Sequence, residues 1–433
     1  MAMDGKELVE KLAKLSQVQS IKDIPQLTHA LFPGTHCPLM GAAMAVGGIK
    51  DSLIVVVGTD ECTYYTKSMT IHSEKFGGID GRCVSVVLDD HDVTFGSAEK
   101  VQGAFKEIIE EYRPQCVFLV TTCVIEIIGD DFDAISEGLS ELYGIPVLPV
   151  HTEHFKCEDH LPGLERTITV CAEMMKSCDC DNSVNLLGQR MGDFATTELY
   201  AMLQKAGVKI GLQLPCGCSV DDIKNAAAAK VNIVVNDIAL PLAQKMQEKF
   251  GIPYVYFNKF VIPEKIYEAY KNLFGYLELE LPGELEGLYQ NAREKIEKNK
   301  GELEGITYIY GNTPYAVFEM NCFLSSLGMV PQVIQTNRYT EADEPYAKEI
   351  LQYTDPYVCK AANIAPLQYV YDVLSPYLYL GHEFGNRLRQ KGIAIVDSDR
   401  ASGMLGFEVT GYLLQQLVKS VREAKEYRKE LCL

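Results

Sequence analysis

The sequence predicts an α/β protein built from three doubly wound, Rossmann-like domains with parallel sheets. Three observations carry that expectation. Short apolar runs rich in β-branched residues recur along the chain, and such runs fit strands covered on both faces by helices. Amphipathic stretches of helical period separate them, in the alternation that builds right-handed crossovers. The length is 433 residues, which at roughly 150 residues per domain gives about three.

The chain opens on MAMDGKELVEKLAKLSQ, which reads as a charged amphipathic helix without the apolar core of a signal peptide. The first strands expected are SLIVVVG (52–58), CVSVVL (83–88), QCVFLVTT (115–122) and IPVLPV (145–150). VNLLG (184–188), VKIGLQL (208–214), VNIVV (231–235) and IPYVYF (252–257) follow. ITYIYG (306–311), MVPQVIQ (329–335) and IAIVD (393–397) complete the set. AEKVQGAFKEIIEEY, DFDAISEGLSELYG, TTELYAMLQKAG and ALPLAQKMQEKFG are the helices expected between them. Two seams interrupt the rhythm: the polar MKSCDCDNS (175–183) and the acidic, then helical, segment 278–305. They divide the chain into 1–180, which carries the cysteines discussed below, a middle block 181–300 and a C-terminal block 301–433.

Composition narrows the function. Lys and Arg total 40 against 59 Asp and Glu, a formal net charge of −19. A surface so acidic lacks the basic footprint that nucleic acid or an anionic membrane requires. No run of 18 or more apolar residues predicts a membrane span, and a cytoplasmic location is expected. The chain nevertheless has 14 cysteines. In a reducing compartment, cysteine acts as a small buried hydrophobe, a metal ligand or a redox group.

Three cysteines are placed for chemistry. Cys37 lies in FPGTHCPLMGAA, where a loop enters a helix. Cys62 follows the strand 52–58 in the turn GTDECTYY, and Cys123 follows the strand 115–122. Sites in open α/β sheets form beyond the carboxyl ends of strands, where loops bring distant residues together. Three thiolates there suit iron–sulfur ligation. Zinc is the rival metal, with His36 as a further donor, although long gaps between ligands are uncommon in structural zinc sites. Cys83 and Cys116 read as strand core, Cys171, Cys322 and Cys359 as helix packing, and Cys432 as an exposed terminal thiol.

CPLMGAA (37–43), GTDECTYYTKS (58–68) and TTCVIEIIGDDFDAI (121–135) resemble the three cluster-ligand motifs of the nitrogenase component 1 superfamily. The similarity continues through PVHTEHF (149–155), GDFATTELYAMLQKAG (192–207), QKMQEKFGIPYVYFN (244–258) and SDRASGMLGFEVTGYLLQQL (398–417). The superfamily comprises molybdenum–iron protein subunits, scaffolds for assembling their cofactor, and dark-operative chlorophyll reductases. The resemblance implies that Cys37, Cys62 and Cys123 ligate an iron–sulfur cluster, of [4Fe–4S] or P-cluster type, at an interface between two subunits. It implies a homologous or identical partner subunit, in a dimer or an α2β2 tetramer, and an ATP-dependent Fe protein as electron donor. A fourth ligand must come from the partner or from this chain.

Further candidates are Cys157, in a segment that the resemblance places near the cluster, and the neighbouring His151, His154 and His160. Cys216 and Cys218, beyond the strand 208–214, form a possible cluster-holding or redox pair. His382, ahead of Arg387 and Arg389, marks a possible anion site. These residues would serve any additional metal cofactor. The resemblance also exposes departures. Val235 or Asn236 stands where active-site subunits have a cofactor-anchoring Cys, and Asp397 where they have a His. Dinitrogen reduction in the standard way is therefore not expected. The leading expectation is a subunit of a nitrogenase-like two-component reductase that relays electrons through the interface cluster. The alternatives are a scaffold for assembling a metal cofactor and the tetrapyrrole-reducing branch.

Overall fold

The structure, a computed structural model, describes residues 4–27, 36–71, 81–157, 159–190, 192–257, 261–311, 313, 315–360 and 364–432. Phe32–Thr35 and Asn258, which fall within motifs read above, and Glu158, beside Cys157, lie outside the described residues.

Three parallel sheets organise the chain. The first has four strands, in the order Cys83–Val87, Ser52–Gly58, Cys116–Thr121, Val147–Val150. The second runs Tyr254–Tyr256, Val231–Val234, Val184–Gln189, Ile210–Pro215. The third is six-stranded: Ala13–Lys14, Tyr357–Cys359, Val330–Gln335, Thr307–Tyr310, Leu378–Leu380, Ala394–Val396. All pairings within them are parallel except that of Ala13–Lys14 with Tyr357–Cys359. Ser52–Gly58 and Cys116–Thr121 are buried at every position, as expected of strands with helices on both faces. The predicted α/β class with parallel sheets is the one observed.

Three expectations need correction. The N-terminal helix is short, Gly5–Glu10, and gives way to the strand Ala13–Lys14 and a 3-10 turn, Leu15–Gln17. Leu15 then buries in the core of the third sheet, a tertiary contact that the local helical period cannot reveal. Cys359 lies in a strand rather than a helix; its run of apolar residues is too short for periodicity to decide. Cys62 lies inside the helix Asp60–Ile71, not in a turn before it. No helix among the described residues is long and apolar enough to cross a membrane.

Candidate metal centre

Cys62 and Cys123 meet because their strands are neighbours. Ser52–Gly58 pairs with Cys116–Thr121 in a register that sets Val57 beside Thr121. Both strands therefore end at one edge, and Cys62 and Cys123 lie in the first turns of the helices that follow, Asp60–Ile71 and Cys123–Ile128. The two strand ends are tied together: Thr122 Oγ1 donates to the Val57 carbonyl at 2.9 Å. Gly58 makes room for this, since a Cβ there would lie 2.0 Å from Thr122 Oγ1.

Cys37 arrives from another direction. It is the N-cap of the helix Pro38–Gly47, which packs on the helix Leu161–Val170 at the closest range that backbone permits. A Cβ on Gly41 would fall 1.9 Å from the His160 carbonyl oxygen, and one on Gly163 would fall 1.9 Å from that of Pro38. His36, beside Cys37, reaches the Tyr65 hydroxyl with Nδ1 at 3.1 Å. That bond links the Cys37 loop to the helix of Cys62.

The three thiols share one electrostatic neighbourhood. Burial raises the pKa of Cys123, the Cys62 thiol pushes it the same way, and the Cys37 thiol adds to the rise. Each thiol stands at or near a helix start, where free backbone N–H groups favour a thiolate; the Val124 N–H acts so on Cys123. Three adjacent thiols resist joint ionisation, and a cation among them removes that resistance.

Spacing separates the rival metals. Sulfurs around one zinc ion lie about 2.3 Å from it, hence roughly 3.8 Å from one another. Among the described residues, only Asp89, His91 and Asp92 form a metal-type group with all ligand atoms within 4.8 Å of one another. Cys37, Cys62 and Cys123 are therefore spaced more widely than a single tetrahedral ion requires. Soft donors, wide spacing and helix starts fit a polynuclear iron–sulfur group. In the Asp89 group Asp89 and His91 are exposed and Asp92 is buried, and Lys100 pairs with both carboxylates, at 2.9 Å from Asp89 and 2.6 Å from Asp92.

The GDD sequence after Cys123 has local work. Gly129, at φ 82°, ends the helix. Asp130 accepts bonds from the Ser97 N–H at 2.7 Å and the Ser97 hydroxyl at 2.6 Å. Asp131 caps the next helix through the Ala134 N–H. Glu126, three residues after Cys123, is the hub of this edge. Its carboxylate accepts from Thr121 Oγ1 (3.1 Å), Thr152 Oγ1 (2.9 Å), the Glu153 N–H (2.5 Å) and the His154 N–H (3.0 Å).

The other candidates have partners of their own. Cys157 Sγ lies 3.6 Å from the Thr152 carbonyl and 3.6 Å from Arg166 Nη1; burial raises its pKa and Arg166 opposes the rise. His151 pairs with Asp133 at 3.1 Å, while His154 packs edge-on to Phe155. His160 is held to a pKa of about 4 by burial and by Arg190. These histidines do not converge. Cys216 Sγ lies 3.3 Å from the Arg190 carbonyl. Cys218 is buried in an apolar core with Cys116 and Cys171, so the two thiols of the CGC sequence serve different surroundings. His382 is exposed and pairs with Asp399 at 3.3 Å. Arg387 lies over Phe384, and Arg389 pairs with Glu430, so no arginine fork gathers beside His382.

The sequence model of the nitrogenase component 1 type oxidoreductases matches residues 37–422. A nitrogenase iron-molybdenum cofactor biosynthesis protein NifE from Clostridium pasteurianum is 31% identical over 51% of this chain and 49% of its own length. The NifE of Rippkaea orientalis is 25% identical over 73% of this chain and 69% of its own. The nitrogenase molybdenum-iron protein alpha chain of Methanosarcina barkeri is 24% identical over 72% of this chain and 62% of its own. The chain thus spans about half the length of the first of these relatives and about two thirds of the others. A solved structure of nitrogenase Cp1 at pH 6.5 superposes with a TM-score of 0.79 at 15% identity, covering 94% of this chain and 96% of the other. That similarity establishes the fold.

Proposed function

Within the nitrogenase component 1 type oxidoreductases, to which this chain belongs, we propose that it is an iron–sulfur subunit serving the assembly of a metal–sulfur cofactor. Cys37, Cys62 and Cys123 would hold its resident cluster, of [4Fe–4S] or P-cluster type. The approach of Cys62 and Cys123, at helix starts on one sheet edge, to Cys37 at the start of a third helix carries the proposal. When bound, the cluster supplies one-electron chemistry, and the protein's part is to bury it and set the polarity around the sulfurs.

Two lines favour the scaffold role over substrate reduction. Several relatives bear the name of a cofactor biosynthesis protein. The positions where the resemblance puts the cofactor anchors of active-site subunits carry Val235 or Asn236, and Asp397, and the side chains of Asn236 and Asp397 are engaged in turns. Asn236 caps the Ile238 N–H at 3.2 Å, and Asp397 accepts from the Asp399 N–H at 3.2 Å. A scaffold must release its cargo, and the absence of thiolate and imidazole anchors suits release.

Three ligands leave a cluster incomplete, so the reading calls for a second, homologous or identical subunit. Tyr64 (73% exposed) and Tyr65 on the helix of Cys62, with Ile127 (72% exposed) on the helix of Cys123, put apolar surface beside the thiols. Interfaces favour such aromatic and aliphatic anchors. An ATP-dependent Fe protein is the proposed reductant. The second reading, an electron relay to a substrate in a two-component reductase, draws on the molybdenum-iron protein relative.

The experiment is anaerobic purification of the chain with co-produced partners, with assays for iron and acid-labile sulfide and low-temperature EPR. A reducible cluster signal is expected, and iron-free protein overturns the proposal. Loaded protein is then offered an apo-acceptor in one vessel, and Fe protein, ATP and candidate substrates in another. Metal transfer without reduced product supports the scaffold; sustained product formation supports the relay.

A further inference from the structure

The polar seam between the first and second sheets carries two thiols that the cluster does not use. From Lys176 to Asn182 it is exposed at every position, and it lies between the 3-10 turn Cys171–Glu173 and the strand Val184–Gln189. Cys178 and Cys180 stand on it, two positions apart, and both are free. Cysteine is among the most buried residue types. Of the 14 in this chain, only these two and Cys432 are exposed.

Backbone bonds hold the pair on a short arch. The Lys176 N–H donates to the Lys224 carbonyl at 2.9 Å, and the Asp181 N–H donates to that of Ala228 at 2.9 Å. Lys224 and Ala228 end consecutive helical segments, Val220–Lys224 and Ala226–Ala228. Four residues of such backbone rise roughly 6–8 Å. The five steps from Lys176 to Asp181 would span roughly 17 Å if extended. The stretch therefore bows away from its two anchors, with Cys178, Asp179 and Cys180 at the crest.

The donors select the guest. Thiolates take soft metals. Asp181 is engaged elsewhere, accepting from the Ser183 N–H at 3.0 Å and pairing with Lys209 at 3.3 Å. Among the described residues, the one group of three or more close metal-type donors is that of Asp89, His91 and Asp92. Structural zinc takes four ligands, so the arch leaves it half-coordinated. A soft monovalent ion with a filled d shell, of the cuprous class, is satisfied by two thiolates. Cys178 Sγ donates to the Lys176 carbonyl at 3.2 Å, and a thiol is a weak enough donor to give up that bond at little cost.

We propose that Cys178 and Cys180 chelate one soft monovalent metal ion at the protein surface. Two S–H bonds break, two sulfur–metal bonds form and two protons pass to solvent, with no change of oxidation state. Because water reaches both sulfurs, a second dithiol can replace them one at a time. The site therefore suits an ion in transit rather than a resident cofactor. It is independent of the cluster assigned to Cys37, Cys62 and Cys123.

The test is anaerobic thiol footprinting of the purified full-length chain, free of small thiols. Copper(I) buffered by bicinchoninate is titrated in, exposed thiols are alkylated with iodoacetamide, and the peptides are quantified by mass spectrometry. Cys178 and Cys180 are expected to lose reactivity together, along one curve, while Cys432 stays reactive. No protection, protection of one thiol without the other, or protection of Cys432 along the same curve overturns the proposal. Zinc chloride at the same free concentration is expected to protect neither thiol, and equal protection by zinc overturns the assignment to a monovalent ion. Cys178→Ser should leave Cys180 reactive, and Cys180→Ser should leave Cys178 reactive; a thiol still protected in either variant overturns chelation. The footprint reads iron-loaded and iron-free protein alike, so failure of the cluster assignment leaves its result standing.

Discussion

Thr122 donates its hydroxyl to the carbonyl of Val57 at 2.9 Å, across the ends of the two strands that deliver Cys123 and Cys62. The bond converts strand register into thiol placement. Val57 lies opposite Thr121, and each strand passes directly into the helix whose first turn holds a cysteine. The Cys37 loop is tied to them by His36, whose Nδ1 lies 3.1 Å from the Tyr65 hydroxyl on the helix of Cys62.

Single Cys→Ala changes follow directly. Cys37→Ala, Cys62→Ala and Cys123→Ala should each abolish or sharply reduce bound iron and the EPR signal, because a three-thiol set has no spare ligand. Cys157→Ala, Cys216→Ala and His382→Ala should leave iron content unchanged, since those side chains have partners elsewhere. Iron analysis of the six variants decides. Full iron in any of the first three contradicts the assignment.

Gly58→Ala should loosen the site without touching a ligand. The new methyl would stand 2.0 Å from Thr122 Oγ1 and 2.6 Å from its Cγ2. Overpacking of this kind costs about 1–3 kcal/mol. The Gly58→Ala, Thr122→Ala double variant should recover part of that loss, because Oγ1 and Cγ2 are gone and only the Cβ contact at 2.8 Å remains. Urea unfolding of the two single variants and the double variant measures the coupling.

Glu126→Ala should free the loop after the Val147–Val150 strand from the helix of Cys123. The carboxylate collects two hydroxyls and two backbone N–H groups. Hydrogen bonds to charged groups contribute about 1.5–3 kcal/mol each when a partner is left buried and unpaired. A loss of roughly 3 kcal/mol is expected, given that the site is half-exposed. Faster amide exchange confined to Thr152–His154 would distinguish a released loop from general destabilisation.

How much of this was legible in sequence depends on the range of the forces involved. The strands ending at Gly58 and Thr121 announced themselves because both faces are buried, leaving continuous apolar runs. The placement of Cys62 and Cys123 beyond them followed from the rule for sheet edges. What stayed hidden depends on contacts across the fold. Ala13–Lys14 is a strand only because Tyr357–Cys359 pairs with it. Glu126 looked like one acid among many, since its four donors come from Thr121 and from the distant run Thr152–His154. Cys216 and Cys218, two positions apart, read as a pair, but the backbone turns Cys218 into an apolar core and leaves Cys216 beside Arg190.

His160 should make stability fall in mild acid. Its pKa in the folded chain is about 4, lowered from 6.5 chiefly by burial, then by Arg190, with Asp159 opposing and His36 adding to the depression. Between those values the unfolded chain takes up a proton that the folded chain refuses. The folded state therefore loses stability as pH drops from about 6.5 towards 4, and the loss levels off below that range. A shift of this size corresponds to roughly 3 kcal/mol over the whole window. His160→Gln has no proton to gain, so the difference between wild type and variant isolates this group from every other acid. Unfolding free energies from urea titrations at several pH values between 4 and 7 supply the measurement. The wild type should fall more steeply than the variant as pH is lowered, and parallel curves would show that His160 titrates normally in the folded chain.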